Sequence, residues 1–305
     1  MLTGTPMKNG RPSQLYPLLA AMDHPIARDQ RQFEERYCQG HWREGRTGKR
    51  WQASGASQLE ELRRLTRPLI LHRRKQQVVD LPPKQRRLHP VELSEAELTG
   101  FDHRVELVLD DYRRRARLGE VRRDAEHLAL LTSMRQIAAE FKLPAAQQLV
   151  DTLRRQGEAV VLFSGFVAPL QLLQQTLGGE LLTGRQRPAE RQESVDRFQQ
   201  GQNDCLLATF GTGALGFTLH RARHVVLLER PWTPGDLDQA EDRCHRLGMG
   251  DGLTCHWLQL GAADQLVDGL LASKAERIEV LLGPRRLSLQ RQSLPAMLRD
   301  FLQLL

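Results

Sequence analysis

The sequence contains no phosphate-binding loop. No G-x-x-x-x-G-K-[ST] occurs among its 305 residues. The nearest approach is Gly48-Lys49, and it fails twice. Arg50 stands where Ser or Thr is needed, and Arg43 stands where the first glycine belongs. Cysteine is scarce: Cys38, Cys205, Cys244 and Cys255, with no C-x-x-C pair. Cys38 and His41 have a ligand-like spacing, but no second pair completes a zinc site. A disulfide framework is thereby excluded, and the thiols read as reduced in an intracellular protein. No apolar run approaches membrane-spanning length, and no signal peptide opens the chain. A cytosolic location without membrane contact is expected, on the nucleoid if the source is bacterial and nuclear if it is eukaryotic. Periodic repeats and low-complexity tracts are also missing.

What is present describes a globular protein: 40% hydrophobic and 27% charged residues. The formal charge is +7. That balance favours a polyanionic partner, nucleic acid first. Arginine clusters stand at Arg113 to Arg115, Arg117, Arg122 and Arg123. They read either as a solvated helix face or as contacts to a DNA backbone.

The N-terminal part mixes signals. Leu2 to Pro6 reads as the end of a buried strand that turns at Gly4 and Pro6. Helices are expected at Tyr16 to Met22, Phe33 to Tyr37 and Gln58 to Leu71. Residues 38–57, polar and rich in glycine and arginine, read as a loop or insertion. Pro82-Pro83 marks a linker. A strand follows at Arg86 to Leu93. Ser94 with Glu97 forms a capping box that starts a helical region running to about Phe141.

From Pro144 the pattern becomes regular. Strands are expected at Ala159 to Phe163, Glu180 to Leu182, Cys205 to Thr209, His224 to Glu229 and Leu253 to Gln259. Helices are expected between them and at Asp264 to Leu282. This alternation predicts a doubly wound parallel sheet, whose ligands bind beyond the carboxyl ends of the strands. The glycine-rich stretch Gly211 to Gly216 and the start of a helix at Pro234 both fall at such ends. The two phosphate-oriented elements are therefore expected on one edge. The tail, Gly283 to Leu305, reads as one more amphipathic helix, with a membrane-surface role as the alternative.

The helix from Pro234 to Leu247 organises the rest. Gln239, Arg243 and Arg246 fall at i, i+4 and i+7, on one face. Two readings stand. Glu241 and Asp242 between them fit a solvated charged face. The arginines themselves fit forked contacts to phosphate oxygens.

Taken in order, these blocks resemble the Swi/Snf-type DNA translocases of helicase superfamily two. L-T-G-T-P-M-K-N at Leu2 to Asn9 is similar to the family's motif III. H-R-R-K-Q-Q-V-V-D-L-P-P-K at His72 to Lys84 resembles the bridge between lobes. V-V-L-F-S-G-F at Val160 to Phe166 resembles motif IV, and Thr209 to Leu219 motif V. Gln239 to Gly248 resembles motif VI, with W-T-P at Trp232 to Pro234 before it. Tyr37-Cys38 and W-Q-A-S-G-A-S at Trp51 to Ser57 resemble the annealing-helicase (HARP-type) branch.

The resemblance implies an α/β fold: a RecA-like doubly wound parallel sheet, the second helicase lobe, with an α-helical insertion. Residues 1–80 would be the tail of the first lobe, 81–143 a linker and arginine-rich insertion, 144–283 the second lobe and 284–305 a helical tail. Arg243 and Arg246 would be arginine fingers reaching the γ-phosphate of ATP, assisted by Gln239. Gly213, Gly216 and Asp242 would lie by the nucleotide. Thr209, Ser164, Trp232, Thr3 and Thr5 would lie on the DNA side.

Departures from the family pattern are Ala214 and Thr218 in motif V, in place of glycine and asparagine, and Met249 in place of the glutamine that closes motif VI. D-E-x-H is missing too. The Walker lysine, the Mg²⁺-binding hydroxyl and the acidic base are thus expected upstream of motif III, on an N-terminal lobe beyond this chain. ATP and Mg²⁺ would act in the two-lobe enzyme on double-stranded or branched DNA. By itself this chain is expected to hydrolyse ATP negligibly. The alternatives are a non-catalytic DNA-binding remnant or regulatory module and, more distantly, an RNA helicase.

Overall fold

In the computed structural model residues 5–45, 48–73, 75–118, 123–213 and 216–282 are described. They divide into two units. The first takes the chain up to Val78 together with Trp232–Asp236 and the segment from Gly269. The second takes Val79–Pro231 and Leu237–Asp268.

The first unit is built from short elements: α1 (Tyr16–Ala20), α2 (Gln30–Tyr37), β1 (His41–Gly45), β2 (Gly48–Gln52), α3 (Leu59–Thr66) and α4 (Lys75–Val78). Asp29 caps α2 by accepting from the backbone N–H groups of Arg31 and Gln32. Phe33 and Tyr37, one turn apart, are thereby aimed inward against Leu15, Leu19 and Leu62. Arg36 forks onto Glu61, and the Tyr37 hydroxyl donates to the same carboxylate at 2.7 Å. The stretch read as a loop at residues 38–57 contains an antiparallel ribbon instead, with Trp42 opposite Trp51. Its alternation is short, so the local signal is weak. The strand end read at residues 2–6 lies mostly outside the described residues, and Pro6 to Asn9 form a turn.

In the second unit, in chain order, stand β3 (Lys84–Pro90), α5 (Glu95–Arg117), α6 (Arg123–Phe141), α7 (Leu143–Arg155), β4 (Val160–Ser164), α8 (Val167–Leu177), β5 (Glu180–Leu182), α9 (Pro188–Gln199) and β6 (Cys205–Thr209). They are followed by α10 (Phe210–Gly213), β7 (His224–Leu227), α11 (Pro234–Cys244), β8 (Leu253–Gln259) and α12 (Gly261–Leu282). The first residues of α11 and the second half of α12 group with the first unit. The capping box at Ser94 and Glu97 is in place. The single helical region expected behind it is two helices, α5 and α6, which meet through Val105, Val108, Tyr112, Leu130 and Met134.

Among the described residues the main sheet has six strands in the order β3-β8-β7-β4-β6-β5, all parallel. β4 is buried along its whole length, as a central parallel strand covered on both faces must be. Val160 and Leu162 on one face of β4 pack with Val150 of α7 and Leu170 and Leu173 of α8. β3, read from sequence as a strand within a linker, is an edge strand of this sheet. The chain crosses β4 between β6 and β7, so residues 210–223 make the switch from one half of the sheet to the other.

Three histidines form a row across β3, β8 and β7. His256 bridges His89 and His224 through its two ring nitrogens, each contact 2.9 Å. Burial and then the flanking His224 and His89 hold His256 down at about 3.

Candidate functional site

The helix α11 begins because Thr233 caps it. The Thr233 hydroxyl accepts from Asp236 N–H at 3.1 Å and donates to its carboxylate at 2.6 Å, and Pro234 follows at the first helical position. Leu237, Ala240, Glu241 and Cys244 form the buried stripe. A carboxylate on that stripe is tolerable only with partners. Both come from β3. Lys84 Nζ lies 3.0 Å from Glu241, and Arg86 Nη2 lies 2.6 Å from it. Burial by itself would raise the Glu241 carboxyl, but Lys84 and Arg86 outweigh it and hold it at about 2. Glu241 is therefore not part of a solvated face. The L-P-P-K bridge is instead ion-paired to motif VI.

The helix stops at Cys244, earlier than the expected Leu247. Gln239 and Arg243 lie on it, both half-buried, and Arg246 lies in the bend that follows. Arg246 Nε donates to the Asp242 carbonyl at 3.2 Å, satisfying one of the orphan acceptors at the helix end. Its Nη1 donates to the Thr218 hydroxyl at 2.9 Å. The Arg243 carbonyl accepts from Leu219 N–H at 2.8 Å. Motif V and motif VI are thus tied twice, and Thr218 makes one tie from the position where the family pattern has asparagine. The turn closes with Met249 N–H on the Arg246 carbonyl and Gly248 at φ +93°. Met249 is buried, so an apolar contact replaces the expected amide. Burial and then the neighbouring Arg246 charge pull Arg243 below its usual basicity, with Asp242 opposing.

Arg243 and Arg246 lie at the end of α11 away from its start, beside Thr218 and Leu219, which follow the glycine-rich stretch. His245 contacts the Pro82 carbonyl, Asp242 pairs with Lys84, and Leu253 N–H donates to the Pro83 carbonyl. These are amino ends of strands. The helix α11 starts at the carboxyl edge and runs back antiparallel to the strands. Its last turn therefore arrives at the opposite edge.

Thr209 ends β6 at the carboxyl edge, its hydroxyl 2.7 Å from that of Thr212. The stretch that follows opens with one helical turn, α10, instead of a loop, and Gly213 is its last residue. Gly216, at φ +91°, occupies a conformation that other residues resist. Asp242, expected beside the nucleotide, is drawn into an ion pair with Lys84 at 3.3 Å.

Of the residues expected on the DNA side, Ser164 and Thr209 are register partners at the carboxyl ends of β4 and β6. Ser164 is fully buried, and its hydroxyl lies 3.0 Å from Glu229, so it presents nothing to a ligand. The residues Glu229 and Arg230 were not singled out in the sequence. Two charges at the end of the apolar run H-V-V-L-L were the available signal. Glu229 also accepts from Gly165 N–H, and burial raises its carboxyl against the opposing Lys142 and Arg135 charges. Arg230 lies 2.9 Å from Asp268, and Lys142 lies 2.7 Å from Asp264. Trp232 is half-buried in the first unit, its carbonyl accepting from Lys274 at 2.6 Å. Thr5 belongs to that unit too, and Thr3 lies outside the described residues.

Of the clustered arginines of α5, three are ion-paired along their own helix, Arg113 with Glu106 and Asp110, and Arg114 and Arg115 with Asp111. This supports the solvated-face reading. All four cysteines are free and buried, and burial pushes Cys38 and Cys205 up to about 12. Among the described residues no group of three or more His, Cys, Asp or Glu is arranged to hold a metal, and no helix is long and apolar enough to cross a membrane.

A parallel sheet switched at β4, with motifs V and VI tied by Arg246, defines a RecA-like helicase lobe. Two family models match: an SNF2-related domain over residues 1–143 and a helicase conserved C-terminal domain over residues 142–248. The two domains in this order are consistent with the SNF2 family of helicase superfamily two. It is 29% identical over 318 residues to the DNA annealing helicase and endonuclease ZRANB3 of Bos taurus, covering 99% of this chain and 29% of that protein. It is 30% identical over 293 residues to the SWI/SNF-related matrix-associated actin-dependent regulator of chromatin subfamily A-like protein 1 of Xenopus tropicalis, covering 92% of this chain and 29% of that protein. The chain thus spans under a third of the length of these relatives. The crystal structure of the C-terminal part of the Fun30 ATPase domain shares the fold, with a TM-score of 0.50 and 18% identity over 73% of this chain and 97% of that one.

Proposed function

We propose that this chain supplies the second half of an ATP-driven double-stranded DNA translocase that remodels or reanneals DNA. The observation that carries the reading is Arg246, held between the Asp242 carbonyl and Thr218 with Arg243 beside it. Such a pair fits the terminal phosphate of ATP. In phosphoryl transfer the protein's work is positioning and charge stabilisation, and an arginine finger contributes on the order of 10³–10⁵ in rate to a complete site. Arg243 and Arg246 would bind the phosphate oxygens and stabilise charge there. The ties through Thr218 and Leu219 would carry the state of that site along residues 210–218 to Thr209, on the edge where DNA would lie. Mg²⁺ and the attacking water would be handled by an N-terminal RecA-like lobe. In this reading residues up to about 80 close that lobe, and residues 144–283 form the second. The relatives' annealing and chromatin activities support a DNA partner for the intact enzyme.

DNA-dependent ATP hydrolysis, measured for this chain alone and mixed with a first lobe, tests the proposal. Activity is expected only in the mixture, with Arg246→Ala lowering it by about 10³-fold. Robust DNA-stimulated turnover by this chain alone, abolished by Arg246→Ala, would sink the division of labour between lobes. No turnover in the mixture, with DNA binding intact, moves the reading to a non-catalytic DNA-binding remnant, which the buried Met249 favours.

A further inference from the structure

Glu229 and Arg230 stand just past β7, and the proposed reaction makes no use of them. Both are buried, as are Arg135, Lys142 and Asp264. Lys142 Nζ lies 2.7 Å from Asp264, and Arg230 Nε lies 2.9 Å from Asp268. Arg135 donates to the Arg230 carbonyl, and Asp264 accepts from Leu260 N–H at 2.8 Å. The hydrogen bonds of Glu229 go elsewhere, to the turn between β4 and α8. Its Oε1 accepts from Gly165 N–H and from the Ser164 hydroxyl at 3.0 Å, and Oε2 lies 3.3 Å from the same hydroxyl. That hydroxyl accepts in turn from Phe166 N–H at 3.0 Å. One carboxylate therefore fixes three consecutive residues.

A side chain at Gly165 would meet Glu229 Oε1 at 3.2 Å, so the glycine is what lets the carboxylate in this close. The Arg135 guanidinium lies 5.8 Å over the Phe166 ring and adds a contact from α6. Stability alone does not account for the arrangement. A buried charge returns little net stability, and apolar residues of similar volume commonly serve as well. The carboxylate supplies direction instead: an acceptor of fixed position for groups that the end of β4 and the start of α8 leave over. The turn that it fixes is not itself sealed. Gly165 is exposed, and it directly follows Ser164, whose register partner is Thr209.

We propose that Glu229 is a positioning residue for duplex DNA: by holding Ser164–Phe166 in one conformation it lets the phosphate backbone come close over Gly165, beside Thr209. This rests on the reading that DNA lies along the carboxyl edge of the sheet. Glycine is the residue that permits a close approach of backbone to a ligand. A turn already held in its bound shape binds without a further ordering cost, whereas a released turn must be ordered at the moment of contact.

The test uses the 305-residue chain, a fluorescent DNA duplex, and hydrogen–deuterium exchange of the peptide spanning residues 163–167. E229D keeps the charge but withdraws it by about 1.5 Å, one carbon–carbon bond, so the turn loses its acceptor. E229Q keeps the reach and the Oε1 acceptor and loses the charge. E229D is expected to raise exchange in the turn and to weaken duplex binding about tenfold, the cost of ordering roughly one backbone residue on contact. E229Q should stay close to wild type in both. S164A removes the hydroxyl that relays Glu229 to Phe166, and should weaken binding in the wild type while adding nothing to E229D. L162A lowers stability in the same strand without removing a partner of the turn, and should bind as the wild type does. Wild-type affinity in E229D overturns the positioning role while the DNA reading stands. Equal losses in E229D and E229Q overturn it in favour of charge alone, and an equal loss in L162A in favour of stability alone. If E229D does not fold, S164A decides: wild-type affinity there overturns the role. A wild-type chain that binds no duplex overturns both readings.

Discussion

Glu241→Gln removes the charge that ties β3 to α11. The wild-type carboxylate has no solvent exposure, while the Lys84 and Arg86 side chains are 17% and 21% exposed, so water screens the cluster little. The two cations hold Glu241 at about 2, against 4.5 for an unperturbed glutamate. At about 1.4 kcal/mol per pH unit, that difference is about 3 kcal/mol of folding free energy at neutral pH. The figure agrees with the roughly 3–5 kcal/mol lost when one partner of a buried ion pair is removed. Because the folded-state value is depressed, the stabilisation is complete above about 4.5 and disappears as pH falls through about 2. Circular dichroism melting at pH 7 should place Glu241→Gln roughly 6–12 °C below wild type. The gap should close on acidification below 4.5. Combining Glu241→Leu with Lys84→Met and Arg86→Met should recover most of the loss, since apolar residues of similar volume replace the whole cluster. A Glu241→Gln chain melting within about 2 °C of wild type at pH 7, or a gap indifferent to pH, refutes the reasoning.

The histidine row predicts an acid-sensitive limb of its own. His256 is held at about 3 against 6.5, so the unfolded chain takes up its proton first and stability falls as pH drops below about 6.5. The groups facing the row are Arg87, Arg223 and Glu158, and only Glu158 favours protonation. Melting temperature should decline between about pH 6.5 and 5, at up to about 1.4 kcal/mol per pH unit, and His256→Gln should flatten that decline. A flat wild-type profile over that window would count against the row. In the sheet, Leu162 is fully buried among α7, α8 and the neighbouring strands. Leu162→Ala should cost about 2–5 kcal/mol in urea denaturation with little change in slope, and a loss under about 1 kcal/mol would mean that the site collapses around the cavity.

Much of this molecule is written locally. The apolar runs at Val160, Cys205, His224 and Leu253 became strands within a residue or two of where they were read, because a buried parallel strand must be apolar on both faces. The capping box at Ser94 and the presence of SNF2-related and helicase C-terminal domains were equally legible. The ribbon was not, since its strands are short and one face is polar. Strand order was not legible either. Neither was the membership of β3 in the sheet, because Lys84–Pro90 meets Leu253–Gln259 across most of the chain.

The sequence by itself determined that this is an alternating α/β chain with a glycine-rich stretch after the strand at Cys205 and the arginines Arg243 and Arg246. Only the tertiary structure decided what surrounds them. Glu241 looked like part of a wet helix face until Arg86, 155 residues away, was brought onto it. Arg246 looked like the third member of a helical stripe. The chain turns before reaching it, and its guanidinium is held by Thr218. Ser164 looked available to DNA and is sealed beneath Glu229. The reason is common to all three. Periodicity records which residues avoid water, but the partner of a buried charge or of a helix end is fixed by contacts between segments distant in the chain, which leave no local pattern.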